Sequence, residues 1–178
     1  VGRPVLALVG PAGAGKSSLV RAGVIPRLRG RGPLLVLQLR PGRDPFLTLA
    51  RVINAAQEPG SGSSEDGPFG LTTGPSLDDG DAATSEQEEA PAATVAERMA
   101  GMLRRKPQVL NLMLGRMLER RGGSVLLLVD QLEELYTLAP DADTRRQIMT
   151  ALCGAADARP APVRAVCTLR AALLARPA

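Results

Sequence analysis

The run Gly10-Pro11-Ala12-Gly13-Ala14-Gly15-Lys16-Ser17 satisfies every fixed position of the pattern G-x-x-x-x-G-K-[ST]. Its flanks have the order such a loop requires. Val5-Leu6-Ala7-Leu8-Val9 reads as a buried strand, and Ser17 to Ala22 reads as the start of an amphipathic helix. A loop in that position turns successive backbone amides toward one point, where the positive end of the helix adds to them. Dense negative charge, such as a triphosphate, is what that arrangement holds. In this reading Gly10, Pro11, Ala12, Gly13, Ala14, Gly15, Lys16, Ser17 and Ser18 line the nucleotide. Lys16 reaches the β and γ phosphates, and the Ser17 hydroxyl ligates the Mg2+ that bridges them. The alternative is a glycine-rich turn with a chance lysine, and the flanking strand and helix weigh against it.

A second stretch has complementary chemistry. Ser124-Val125-Leu126-Leu127-Leu128-Val129-Asp130 is an apolar strand ending in an acid, followed by Gln131-Leu132-Glu133-Glu134, which is the form of a Walker B segment. A buried strand of this kind carries Asp130 to the end of the sheet beside the glycine loop, where its carboxylate can hold Mg2+. Either Glu133 or Glu134 then orients or deprotonates an attacking water, and the spacing leaves both open. Taken alone, the same residues would also suit the N-terminus of a helix after a strand. A later apolar run, Val163 to Arg170, is a further strand. In P-loop proteins with the catalytic acid on the Walker B strand, it lies between the other two, with Thr168 and Arg170 at its tip. Arg170 there is either a γ-phosphate sensor or a solvated strand-end arginine.

Composition limits the alternatives. The chain has no His and no Trp, and aromatic residues make up 2% of it, so histidine catalysis and histidine metal sites are excluded. A core must come from Leu, Val and Ala, and 178 residues at 44% apolar content are enough for one three-layer domain. No apolar run approaches the roughly 18 residues a membrane span needs, and no signal sequence precedes the first strand, so the expectation is a soluble, cytoplasmic domain. Cys153 and Cys167 lack metal-ligand spacing and read as reduced core thiols. Residues 52–97 hold ten acidic residues and no basic one, which leaves 22 Lys and Arg against 8 Asp and Glu elsewhere. That cationic remainder could meet phosphates or nucleic acid, but 20 of the 22 are arginine in an Ala-, Gly- and Pro-rich chain, as compositional bias alone would give.

Along the chain, the helix after the glycine loop is expected to stop near Gly23 or Pro26, and residues 27–33 to form a basic turn. Residues 33–40 read as a second strand, and Phe46, Leu49, Ala50 and Ile53 mark one face of a crossover helix reaching Gln57. Residues 58–92 lose all periodicity and read as a disordered acidic insertion, either an untethered surface loop or a counter-charge folded over the cationic body. Val95, Met99, Met102 and Leu103, then Val109 to Leu118, mark two helices broken near Pro107, whose methionines read as core rather than as a partner groove. A last long helix is expected over residues 141–158. The fold class is therefore α/β: a three-layer P-loop NTPase fold over residues 1–178, mostly parallel, with the Walker B strand not adjacent to the P-loop strand.

Four segments occur in a telling order: GPAGAGKSSLVRAGVIPRL from Gly10, LRPGRDP from Leu39, VDQLEELYT from Val129 and TLRA from Thr168. Together they resemble the NTPase domain of bacterial STAND proteins, relatives of the AAA+ and apoptotic ATPases. The resemblance implies ATP and Mg2+ as ligands and a slow ATPase that serves as a signal-transduction switch. It also implies other domains of the same polypeptide as partners, such as an effector domain and a repeat array, and nucleotide-dependent self-oligomerisation. A fifth strand and a helical lid are expected outside this segment, so the fold reads as C-terminally incomplete. Leu132 stands where the family favours an aromatic, and Ala172 stands where it favours an acid, a departure that bears on the polar network at the strand tip.

Rival readings find less support. There is no N-K-x-D segment for a GTPase, and Arg121-Gly122-Gly123-Ser124 does not supply the signature of an ABC-type ATPase. A nucleotide-binding oligomerisation platform without turnover remains a rival. So does a nucleic-acid-associated motor, although no basic stretch interleaved with aromatics supports nucleic acid as a partner.

Overall fold

Five consecutive apolar residues, Val125 to Val129, are at most 1% exposed each, and a strand buried on both faces needs a layer of helices on either side. The computed structural model describes residues 5–57, 93–139, 141–157 and 163–174. The expected acidic insertion at 58–92 lies outside them.

The elements run β1 (Val5–Gly10), α1 (Lys16–Leu19), a π-helical turn (Val20–Val24), α2 (Ile25–Arg29), β2 (Leu34–Leu39) and α3 (Pro45–Gln57). After the insertion come α4 (Val95–Arg105), α5 (Val109–Arg121), β3 (Ser124–Val129), α6 (Glu134–Thr137), α7 (Ala142–Asp157), β4 (Val163–Arg170) and α8 (Ala171–Leu174). The four strands form one parallel sheet in the order β1-β4-β3-β2. This is an α/β P-loop-like fold, with β4 inserted between β1 and β3. The register pairs Gly10 with Arg170 and Val129 with Cys167, so the C-terminal ends of these three strands meet at one edge.

Alternation along the strands divides the core in two. Leu37, Leu39, Val125, Leu127, Val129, Ala165, Cys167 and Leu169 face α3, α4, α5 and α7. Leu126, Leu128 and Val166 face the opposite layer, where Val20 and Ile25 of the helical run after the glycine loop cover them. The period of two thus lets one β3 sequence serve both layers. Thr94 and Glu97 form a reciprocal capping box at the start of α4, and Lys106 and Pro107 separate α4 from α5 as expected. The turn into β3 requires glycine: Gly123 has φ 80°, and a Cβ there would overlap the carbonyl of Pro33, which accepts from Ser124 N at 2.9 Å.

Four expectations need correction. β1 is not a buried strand. It pairs with β4 alone, and Leu6 and Val9 are 52% and 46% exposed, because β1 forms the edge of the described sheet. The helical run does not stop at Gly23 or Pro26 but continues to Arg29. The π turn over Val20–Val24 resets the hydrogen-bond register, and Pro26 falls in the first turn of α2, where a missing amide costs nothing. The basic turn is correspondingly shorter, since Arg27 and Arg29 are helical. The methionines divide: Met99 and Met117 are core, Met113 packs against it, and Met102 is exposed. Among the described residues no helix is long and apolar enough to cross a membrane.

Candidate functional site

The glycine loop leaves β1 at the sheet edge just described. Gly13 and Gly15 take φ 76° and 72°, left-handed values that let the loop curl back, with helix α1 starting at the next residue. Lys16 Nζ donates to the carbonyls of Gly10 at 3.0 Å and Pro11 at 2.7 Å, so its ammonium lies within the curl of the loop. A cavity of about 260 Å³ opens above it, lined by residues 12–18 together with Gln131, Glu133, Thr168 and Arg170. Every loop position named from the sequence thus either lines this cavity or, as Gly10 and Pro11 do, holds Lys16.

The end of β3 closes the other side. Asp130 is 8% exposed and carries three partners: Ser17 Oγ donates to Oδ1 at 2.5 Å, Thr168 Oγ1 donates to the same oxygen at 2.6 Å, and Arg21 Nη2 stands 3.4 Å from Oδ2. Ser17 and Asp130, 113 positions apart in sequence, therefore meet as two hard oxygen groups beside the glycine loop. Among the described residues no three His, Cys, Asp or Glu gather as a metal cage, so a cation here would take few protein ligands.

The two glutamates part company. Glu133 lines the loop cavity, and Arg170 holds both its oxygens, Nε at 2.9 Å from Oε1 and the backbone N at 3.3 Å from Oε2. Glu134 is absent from that cavity's lining. It lines a neighbouring one of about 320 Å³ and there accepts from Arg40 Nε and, at 3.1 Å, from Gly42 N. Its carboxylate anchors the Arg40-Pro41-Gly42 turn at the end of β2. Arg170 is neither free nor simply solvated: it is half exposed and paired with Glu133 on the wall of both cavities. Ala172 lines the second cavity, beside Glu134, and not the first. Leu132 is buried in the larger core, which accepts an aliphatic side chain there.

Sequence reasoning missed three residues. Arg21 reaches Asp130 from one turn into the helical run, and Arg40 reaches Glu134 across 94 positions. The R-P-G turn was visible, but nothing in its spacing names its partner. The third is Gln131, which has φ 56°, the one non-glycine residue in the left-handed region among those described. Thr168, noted only as a strand-tip residue, proves to be the anchor of the segment. Besides binding Asp130 it accepts from Gln131 N at 2.9 Å through Oγ1, and from Leu132 N at 2.9 Å through its carbonyl.

No curated protein and no solved structure matches the chain in the comparisons made. A family description does match: with the phosphate-type loop, the strand-end acid and the intervening β4 all in place, and residues 1–178 matched by Novel STAND NTPase 1, the chain belongs to that family.

Proposed function

We propose that this STAND NTPase module binds ATP with Mg2+ at the glycine loop and hydrolyses it slowly, as a switch that acts on neighbouring domains of its polypeptide. The observation that carries the reading is the contact of Ser17 Oγ with Asp130 Oδ1 at 2.5 Å, with Lys16 and Glu133 on the same cavity. In this reading the loop amides and Lys16 hold the phosphates, for which a phosphate oxygen replaces the carbonyls of Gly10 and Pro11 as partner of the Lys16 ammonium. Two oxygen donors, one of them a carboxylate, suit Mg2+, which keeps several waters and takes few protein ligands. When bound, Mg2+ supplies positive charge to the β and γ phosphates. Glu133, rather than Glu134, orients the attacking water, because Glu133 lines the phosphate cavity and both oxygens of Glu134 serve the 40–42 turn.

Arg170 gives the site a reason to be slow and responsive. Its guanidinium is paired with Glu133, and a γ phosphate in the cavity competes for it. Transfer of Arg170 to the phosphate frees the Glu133 carboxylate for the water, so the nucleotide itself completes the catalytic arrangement.

Calorimetric titration and phosphate release test this reading on the whole chain. Lys16→Ala should abolish Mg-ATP binding at an unchanged melting temperature. Glu133→Gln should bind ATP normally and lose turnover by about a hundredfold or more. Unchanged affinity in the lysine variant refutes the site, and nucleotide binding without turnover in the unaltered protein leaves a structural nucleotide platform as the function.

A further inference from the structure

Asp130 is followed by a residue in a backbone conformation that its side chain disfavours. Gln131 takes φ 56°, a region glycine enters freely and a side chain with a Cβ enters at a cost. The turn is held at three points: Gln131 N donates to Thr168 Oγ1 at 2.9 Å, Leu132 N to the Thr168 carbonyl at 2.9 Å, and Glu134 N to the Gln131 carbonyl at 2.9 Å. All three are backbone donors that glycine at position 131 would leave in place. The geometry of the turn therefore accounts for Asp130 and Glu133 both reaching the site, and it gives no reason for glutamine.

The side chain supplies the reason. Of the polar side chains at positions 130 to 134, those of Asp130, Glu133 and Glu134 have both oxygens engaged. The Gln131 carboxamide has no hydrogen-bond partner among the described residues, yet Gln131 lines the phosphate cavity and the adjoining one, in each case beside Glu133 and Arg170. A neutral carboxamide offers one acceptor oxygen and two N–H donors, which is what a water and a phosphoryl oxygen side by side can use.

We propose that Gln131 is a further catalytic residue of the hydrolysis assigned above, on which this inference rests. Its carboxamide oxygen accepts one O–H of the attacking water while Glu133 accepts the other, and its NH2 group donates to a γ-phosphoryl oxygen. The water oxygen bonds to the γ phosphorus as the bond from that phosphorus to the β–γ bridging oxygen breaks. ADP leaves with the electron pair, and the water's proton passes to Glu133 and on to the released phosphate. The amide is too weak a base to take a proton, so its contribution is orientation.

The test compares Gln131→Gly, Gln131→Asn and Glu133→Gln with the unaltered chain, measuring Mg-ATP affinity by calorimetry, single-turnover hydrolysis, and thermal unfolding. Gln131→Gly fits the backbone, so its melting temperature should equal or exceed that of the unaltered chain and its affinity should stay within about threefold. Its hydrolysis should fall by about ten- to a hundredfold, as loss of an orienting contact does. Asn tolerates the same φ and withdraws the carboxamide by one carbon, so it should be impaired as well. Wild-type hydrolysis in Gln131→Gly together with loss in Glu133→Gln overturns the role of Gln131 and leaves the hydrolytic reading intact. Absence of hydrolysis in the unaltered chain overturns both.

Discussion

Replacing Thr168 with valine exchanges its hydroxyl oxygen for a methyl, at a position 1% exposed. That oxygen has two functions, since it donates to Asp130 Oδ1 at 2.6 Å and accepts from Gln131 N at 2.9 Å. The first is a charge-assisted bond, of a kind that contributes about 1.5–3 kcal/mol. Losing the second leaves a backbone N–H without its partner, at about 1–3 kcal/mol. The extra buried methyl offsets roughly 1 kcal/mol of this, so the net loss is about 2–5 kcal/mol. For a chain of this length each kcal/mol lowers the melting temperature by about 2–4 °C, and the variant should melt about 4–20 °C lower. Asp130 also loses one of its three partners, and if Asp130 holds Mg2+ as proposed, loss of that supporting contact should weaken Mg-ATP affinity by about ten- to a hundredfold. Differential scanning calorimetry and Mg-ATP titration read the two effects, and Thr168→Ser, which keeps the hydroxyl, should recover most of both. A valine variant melting within about 1 °C of the unaltered protein, with equal Mg-ATP affinity, refutes the view that Thr168 anchors the segment.

The turn clamp and the thiols give two further predictions. Glu134→Ala should destabilise by about 1–3 kcal/mol by removing the acceptor of Gly42 N–H, and Arg40→Ala should cost at least about 1 kcal/mol because it leaves the 7%-exposed Glu134 carboxylate without its counter-charge; an Arg40→Ala melting temperature equal to that of the unaltered chain would contradict this. Burial pushes the Cys167 thiol up to about 11, while Cys153 is half-buried, so a maleimide at pH 8 should modify Cys153 first, as mass spectrometry of the labelled peptides reads out. Because the folded-state value lies above the ordinary thiol value of 9.0, the associated stability is complete below that pH and declines as pH rises from 9.0 toward about 11.

The elements that sequence reading places well are those whose signal is local. The apolar runs of β2, β3 and β4, the faces of α3 and α7, and the break at Pro107 each follow from periodicity or a breaker within a few residues. The end of the first helical run was misread for the same reason. Gly23 and Pro26 are locally unfavourable, and only the packing of Val20 and Ile25 beneath the sheet, together with the π turn, makes their inclusion stable.

At the site, the sequence by itself determined which groups are on offer: a glycine loop followed by Lys16 and Ser17, the residues proposed above for phosphate and cation, and an acid, Asp130, delivered by an apolar strand. Such motifs are legible because their function depends on residues a few positions apart on one strand, loop or helix start. What the tertiary structure decided is how groups distant in sequence are shared. Glu133 and Glu134 are neighbours of identical chemistry, and they separate because one faces Arg170 of β4 and the other faces the turn after β2. Arg21, Arg40 and Thr168 acquire their partners the same way, across 109, 94 and 38 positions. The order β1-β4-β3-β2 brings these groups together, and a side chain's partner across a sheet depends on strand order and register, neither of which is encoded within a short window of residues.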